Sequence, residues 1–370
     1  MKRNVLRIGL VLMMLVALVA GAGAEEKKAG SMTVDEIKSA LGLSVYVQGG
    51  YTYNFEDPDS GENELRVFDH NSNSFTVDLA QLVFTREAPA GGVGYKLKLS
   101  AGETAKFIHA AGLGSADEAF DLTEAYIDYV APVGKGLKFR FGKFVTMHGA
   151  EVIEAKDNMN YSRGLLFNYA IPFTHTGLMV GYPISDKVNT NFYVVNGWDN
   201  FDDEGSSKTL GLSVSVAPVE QFSAIVNLMN GREVDLQTGI SSNRFLADAV
   251  ATVKPVKDLT LVVNGDYGVQ SNSAPDGSDA KWYGIAAFVK YDFSDLFSAT
   301  ARAEYFKDDD GARTLIAQTA KEVTITPEFR IAKNLIVRPE YRHDWSDKEV
   351  FDSGSEKSQD TIALGVMYTW

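Results

Sequence analysis

No cysteine occurs anywhere in the 370 residues. That absence excludes a disulfide framework, a thiol nucleophile and any metal site built on thiolates. Long hydrophobic runs are equally scarce. Beyond the first two dozen residues, no stretch approaches the roughly 18 consecutive apolar residues that a membrane-spanning helix needs. Histidine is limited to His70, His109, His148, His175 and His343. Neither H-E-x-x-H, G-x-S-x-G nor a glycine-rich phosphate loop is present. Positive charge is in deficit, with 35 Lys and Arg against 49 Asp and Glu for a net −14. That balance disfavours nucleic acid and polybasic adhesion to anionic membrane surfaces.

The one apolar run stands at the start. Lys2, Arg3 and Arg7 precede uncharged residues 8–20, and Ala22-Gly23-Ala24 follows. A basic start, a short apolar core and an A-x-A site describe a secretory signal peptide over 1–24. Three of the basic residues lie in this leader, so the chain after cleavage keeps 32 against 49 acidic residues, net −17. Residues 25–42 then form a short segment expected on the periplasmic side. One helix is predicted between 31 and 42, with Thr33 and Glu36 as a capping box, Ile37 and Leu41 on one face, and Gly42 at its end.

From Leu43 onward the period is two. Segments at 43–54, 74–86, 93–101, 121–130, 137–144, 174–182, 188–198, 208–216, 222–230, 244–253, 259–269, 281–292, 297–306, 321–330, 335–345 and 361–370 alternate apolar and polar positions. Sixteen such segments of about ten residues give the repeated signal of an antiparallel up-and-down transmembrane barrel over 43–370. The connections sharpen the reading. Short turns near 87–92, 131–136, 183–187, 217–221, 254–258, 293–296 and 331–334 alternate without exception with longer polar loops. These loops span 55–73, 102–120, 145–173, 199–207, 231–243, 270–280, 307–320 and 346–359. A meander with turns on one membrane side and loops on the other must alternate in this way. A Greek-key sandwich need not.

The two strand faces differ in kind. Leu335, Val337, Tyr341 and Trp345 share one face, opposite Ile336, Arg338, Glu340, Arg342 and Asp344. Apolar faces toward lipid and charged faces around water account for this pattern. Lys96, Lys98, Glu124, Asp128, Lys138, Arg140, Arg302, Glu304, Glu328, Arg330, Arg338, Glu340 and Arg342 are the expected lining of a water-filled lumen. The last ten residues, TIALGVMYTW, alternate to the very end. A closing strand paired with the first leaves no edge unpaired in lipid, and Tyr368 and Trp370 then sit at the interface that amphipathic rings favour. Pro339 conflicts with its strand, because proline removes a ladder hydrogen bond; a bulge is expected there.

The order "GKFVTMHGAEVIEAKDN", "YSRGLLF", "PFTHTG", "GYPISDKV" and "VVNGWDN" between 142 and 199 resembles the OmpL-like family of β-barrel porins, exported outer-membrane proteins of Gram-negative bacteria. Gly164 stands where that family often has Ser, and Ala150 near a position that is often aromatic. The resemblance implies a passive channel and supplies no substrate. The terminal strand likewise resembles the recognition signal of the outer-membrane barrel-assembly machinery, with Trp370 in place of the usual Phe.

The 145–173 connection is long enough to suggest function, and in porins a long early loop commonly folds inward. Its Glu151, Glu154, Asp157 and Arg163 are therefore the candidate constriction residues, with the carboxylates expected to face Lys96, Lys98, Lys138 and Arg140 across a polar gap. Other candidates read more plainly. The carboxylates of "EVIEAKDN" lack calcium-loop spacing, so no metal or other cofactor is expected. Ser162 and His175 tempt a nucleophile–base reading, but His175 reads better as a polar strand-end residue, and no enzyme is expected. Asn196-Gly197-Trp198-Asp199 reads as a strand end with Trp198 in the aromatic belt. Acidic loop residues Glu56, Asp57, Asp59, Glu62, Asp202, Asp203, Glu204, Asp308, Asp309 and Asp310 would concentrate cations at the mouth.

The sequence thus predicts an exported porin of the cell outer membrane that passes small hydrophilic solutes. Two alternatives stay open: a channel with a ligand site in the 145–173 loop, and a non-conducting structural or adhesion barrel. Expected partners are outer-membrane lipid, the assembly machinery and small hydrophilic solutes. Sixteen-stranded porins are commonly homotrimers, but no residue here marks a subunit interface.

Overall fold

The computed structural model describes residues 34–115, 118–203, 207–234, 239 and 241–370. The predicted leader, together with Thr33 and Glu204, lies outside them. Helix α1, Val34–Leu41, ends at Gly42, which has φ +58°. A Cβ at Gly42 would stand 1.8 Å from the Thr85 carbonyl oxygen, so only glycine lets the chain turn this closely into the sheet.

Sixteen strands follow: β1 Leu43–Asn54, β2 Ser74–Arg86, β3 Val93–Ala101, β4 Phe120–Ala131, β5 Leu137–Val145, β6 Thr174–Ser185, β7 Val188–Val195 and β8 Thr209–Val219, then β9 Phe222–Val234, β10 Ser241–Val256, β11 Leu259–Gln270, β12 Ala280–Ser294, β13 Phe297–Asp308, β14 Gln318–Ala332, β15 Leu335–Ser346 and β16 Ser358–Thr369. Each pairs antiparallel with its sequence neighbours, and β1 pairs with β16 to close the barrel. Closure reaches the last residue, since Trp370 donates its N–H to Val45 O at 2.9 Å and accepts from Val45 N at 2.8 Å. Lys38 of α1 lies 4.1 Å from the centre of the Trp370 ring. Helix α1 and the last residue therefore meet on the short-turn side.

The expected alternation of faces is present. On β12, Trp282, Ala286 and Phe288 are buried inward while Ile285 and Val289 are about half exposed outward. Pro339 does not make a bulge. Pairing of β14 with β15 stops after Ile325–Tyr341 and resumes at Phe329–Val337 without a register shift. In that register Pro327 stands opposite Pro339, so two residues without an N–H share one gap.

At the loop end β3 is short. It reaches only Ala80 on β2, and helix α2, Glu103–Phe107, covers the remainder after Gly102. A Cβ at Gly102 would lie 2.7 Å from both the Val77 and Asp78 carbonyl oxygens.

Candidate functional site

Strands about 4.8 Å apart and tilted about 40° give a sixteen-stranded barrel a backbone radius of roughly 16 Å. Wall side chains alone cannot fill that width. Inward residues are nevertheless buried, among them Trp282, Arg302, Arg338 and Arg342. The 145–173 segment covers them. It runs down inside the barrel with one 3-10 turn, Ala155–Asp157, and one π turn, Leu166–Ala170.

Ionic contacts fix it to the wall. Glu151 accepts from Arg302 Nη1 at 2.8 Å and from Gly164 N at 2.7 Å, and Arg302 also donates to Glu322 and to Ser162 O, each at 2.8 Å. Glu154 accepts from Lys98 at 2.7 Å and Gln81 at 2.8 Å. Burial alone would raise the Glu154 carboxyl, but the Lys98 ammonium outweighs it and brings the pKa down to about 2. Arg338 fans its guanidinium over the carbonyls of Ala155, Asn158 and Asn160 at 2.5, 2.7 and 2.9 Å while bound to Glu328. Glu340 accepts from Tyr161 N at 2.7 Å, Ser162 N at 3.0 Å and Thr326 Oγ1 at 2.6 Å, beside the proline gap. Arg342 donates to Arg163 O at 2.7 Å.

Shape reinforces charge. Gly50 and Gly365 are register partners across the closing seam, and the Tyr161 ring lies over both. Its hydroxyl reaches Asp78 at 2.7 Å. A Cβ on Gly50 would fall 2.0 Å from that hydroxyl oxygen. Glu304 closes over Gly164, which leaves no room there for a Cβ. Leu166 projects toward Gly284 in the same way.

The 55–73 loop also turns inward at the loop end. Arg66 binds Asp344 at 2.5 Å, and Phe68 packs on Phe167 and Phe173 with ring centres 5.5 and 5.4 Å apart. A loop rich in acid gave no sign of this at the sequence level. The signal, in retrospect, is the basic–aromatic pattern Arg66-Val67-Phe68 within that loop.

Several placements differ from expectation. Of the four basic wall residues expected to face the loop, only Lys98 meets one of its carboxylates. Lys96 binds Glu124 at 2.7 Å, while Lys138 and Arg140 both bind Asp128 at 2.8 Å, because these partners stand on adjacent strands. Asp157 pairs with Lys156 instead of the wall, and Arg330 binds Glu328 near the turn end. Arg163 is buried over Phe68 and holds Tyr161 O. Asp308 is not a mouth charge: it is fully buried and accepts from the N–H groups of Ala312, Arg313 and Thr314. Trp198 is not in an outer aromatic belt either. It is buried inside the mouth, 6.1 Å from Trp282. Ser162 Oγ faces Arg302, whereas His175 bonds Thr146, so the two do not form a nucleophile–base pair. Among the described residues no acidic or histidine cluster is arranged to hold a metal.

Open space remains on either side of the inserted segment. At the turn end two cavities of about 260 Å³ lie beside Lys96, Lys98 and Glu154 and beside Asn189, Ser215 and Ser223. At the loop end a cavity of about 390 Å³ lies beside Trp198, Asp199 and Arg313. Asp199 there accepts the N–H groups of Phe173 and Thr174, both at 2.7 Å, which pins the end of the segment. Burial lifts its carboxyl to about 6 despite these donors and nearby Arg313.

The family described as "Putative beta-barrel porin-2, OmpL-like" matches residues 40–370. The chain belongs to this OmpL-like porin family. No curated protein sequence matches it. In fold it is similar to the outer-membrane channel DcaP of Acinetobacter baumannii, with a TM-score of 0.61 at 12% identity over 89% of this chain and 96% of that one. It is similar also to the anion-selective porin of Comamonas acidovorans, with a TM-score of 0.61 at 12% identity over 89% and 98%. OmpF of Salmonella typhi, solved in complex with daunomycin, gives 0.62 at 12% identity over 89% and 97%. Such identities carry the fold alone. The family and these neighbours are channels rather than enzymes.

Proposed function

We propose that this OmpL-like porin resides in the outer membrane and passes small hydrophilic solutes or ions by passive diffusion, with the 145–173 segment setting the width of the path. The observation that carries this reading is the docking of that segment onto inward-facing charges of β3, β13 and β15 (Lys98, Arg302, Arg338, Glu340). The outer face supports membrane residence. Leaving residues such as Phe75, Phe141 and Ile285 in water would forfeit about 1.5–3 kcal/mol for each, whereas hydrocarbon accepts them.

On this reading residues 1–24 are an export signal and α1 is periplasmic. The strand ending at Trp370 is the assembly signal, and a homotrimer is the assembly to test. The inward charges named above, with Glu151, Glu154, Asp157 and Arg163, are proposed as the determinants of flux. Lys96, Lys138 and Arg140 line the wetter turn end.

A second reading has its own support. Complete burial of Arg302 and Arg342 suits a barrel held closed at rest. Single-channel current through the purified protein in a planar bilayer, with reversal potential under a salt gradient, separates the two. Stable open steps are expected, and the sign of the potential gives the selectivity. A correctly folded but silent protein would overturn the open-channel reading in favour of the closed one.

A further inference from the structure

We propose that the channel prefers cations, and that Asp248 on β10 and Asp266 on β11 set this preference at a barrier between the loop-end and turn-end cavities. The preference presupposes the channel reading and deepens it. The two open spaces are stacked along one wall. On β7 the turn-end cavity reaches Asn189 and the loop-end cavity Asn196. On β9 the corresponding limits are Ile225 and Glu233, and on β10 they are Val250 and Arg244. Between these limits stand Tyr193, Asn227 and Asp248, all buried. They belong to a belt that separates about 260 Å³ of open space at the turn end from about 390 Å³ at the loop end.

Strand register composes the belt. Ser213 pairs with Asn227, Asn227 with Asp248 and Asp248 with Asp266, so four polar side chains stand side by side on β8–β11, each buried. Two carboxylates thus adjoin, and among the described residues neither is paired with a Lys or Arg. Asp248 accepts instead from Asn227 Nδ2 at 2.5 Å and Asn264 Nδ2 at 2.7 Å. Oxygens are in excess around this row. Ser213 Oγ, Asn227 Oδ1, Asp266 Oδ1 and, on β7, Tyr193 Oη are buried without a hydrogen-bond partner among the described residues. A wall with more acceptors than donors can stand in for the hydration of a cation and repels an anion. Adjacent carboxylates repel each other, and a cation between them relieves that repulsion. The other side of the barrier is the start of the inserted segment, where Met147 O accepts from Asn227 Nδ2 at 2.7 Å and Ala150 N donates to Asn264 Oδ1 at 3.0 Å.

No positive charge competes along this wall. Residues 189–196, 209–215, 225–231, 245–250 and 262–268 include neither Lys nor Arg. Lys98, Arg302 and Arg338 of the basic wall are engaged by the inserted segment. Neither cavity favours one sign: the loop-end lining sets three arginines against Asp199, Asp203 and Glu233, and the turn-end lining sets Lys187 against Asp186. The sign of the permeant ion is therefore decided at the belt. The test is the reversal potential of the folded full-length protein in a planar bilayer under a potassium chloride gradient. Wild-type protein should pass potassium ahead of chloride. Asp248→Asn and Asp266→Asn should each lower the potassium-to-chloride permeability ratio about fivefold, the effect of one unit charge about 4 Å away in water. Asp248 holds two amide donors, so Asp266→Asn keeps the test valid if Asp248→Asn fails to fold. Asp59→Asn, which removes an exposed charge from the 55–73 loop, should leave the ratio unchanged and so separates the belt from the acidic mouth. A conducting wild-type protein that prefers chloride would overturn the proposal alone, as would an unchanged ratio in folded Asp266→Asn or an equal loss in Asp59→Asn. A folded but silent wild-type protein would overturn the channel reading and this preference together.

Discussion

Replacing Gly365 by alanine tests how the inserted segment is seated. The new Cβ would lie 2.2 Å from Cδ2 of Tyr161 and 2.7 Å from both Cγ and Cε2, far inside van der Waals contact. Forcing a methyl group into a filled site costs about 1–3 kcal/mol. If the ring withdraws, its hydrogen bond to Asp78 is lost as well, at about 1.5–3 kcal/mol for a charged acceptor. Together about 2.5–6 kcal/mol falls on the docked segment, and every 1.4 kcal/mol is a tenfold change in its docked population. The wall should survive, because β1 and β16 stay joined by their full ladder. The assay is limited trypsin digestion of the folded barrel beside single-channel recording. Arg163, buried in the native protein, should become a cleavage site, and conductance should rise. Combining Gly365→Ala with Tyr161→Ala should restore space at the seam but not the seal. An unchanged digestion pattern and unchanged conductance in folded Gly365→Ala protein would refute the seating of Tyr161 described here.

Arg338→Lys should not rescue Arg338→Ala. An ammonium cannot span three carbonyls and Glu328 together, and either change should lower stability by about 3 kcal/mol, read as thermal unfolding in detergent. Asp199 should make the loop-end clasp pH-dependent. Its folded carboxyl, raised to about 6 from an ordinary 3.8, favours the protonated form. The stability it contributes is fully present below pH 3.8 and is lost as pH rises through 6. For a group that keeps partial contact with water this amounts to about 1–2 kcal/mol. Amide exchange at Phe173 and Thr174 should therefore speed up between pH 5 and 7 beyond the intrinsic rate, and Asp199→Asn should remove that excess. Exchange that follows the intrinsic rate in the native protein would count against it.

Much of the fold was legible in sequence because a barrel wall is a local pattern. Alternating faces and alternating loop lengths located all sixteen strands. The terminal TIALGVMYTW was readable as a closing strand because its period is two to the end. What the inserted segment touches was not readable. Gly50 and Gly365 form one socket only after β1 and β16 pair, and no local pattern sets that register. Arg338 and Glu340 announced an inward face, but their partners lie about 180 residues upstream. The partner of Lys138 and Arg140 is hidden for a similar reason, since Asp128 reaches them from a neighbouring strand. Asp308 and Trp198 looked like surface residues because charge and aromatic character do not reveal that a loop folds over them. Pro339 was legible as a conflict. Its resolution required Pro327, which stands opposite it only in the native register.

The central claim is that the 145–173 segment occupies the lumen and governs passage. Single-channel conductance of the native protein against a variant with 152–170 replaced by a short Gly-Ser linker tests it most directly. A several-fold rise in conductance, with the barrel still folded, is the predicted result. Equal conductance in the two folded proteins would contradict the claim and return that segment to the status of an ordinary surface loop.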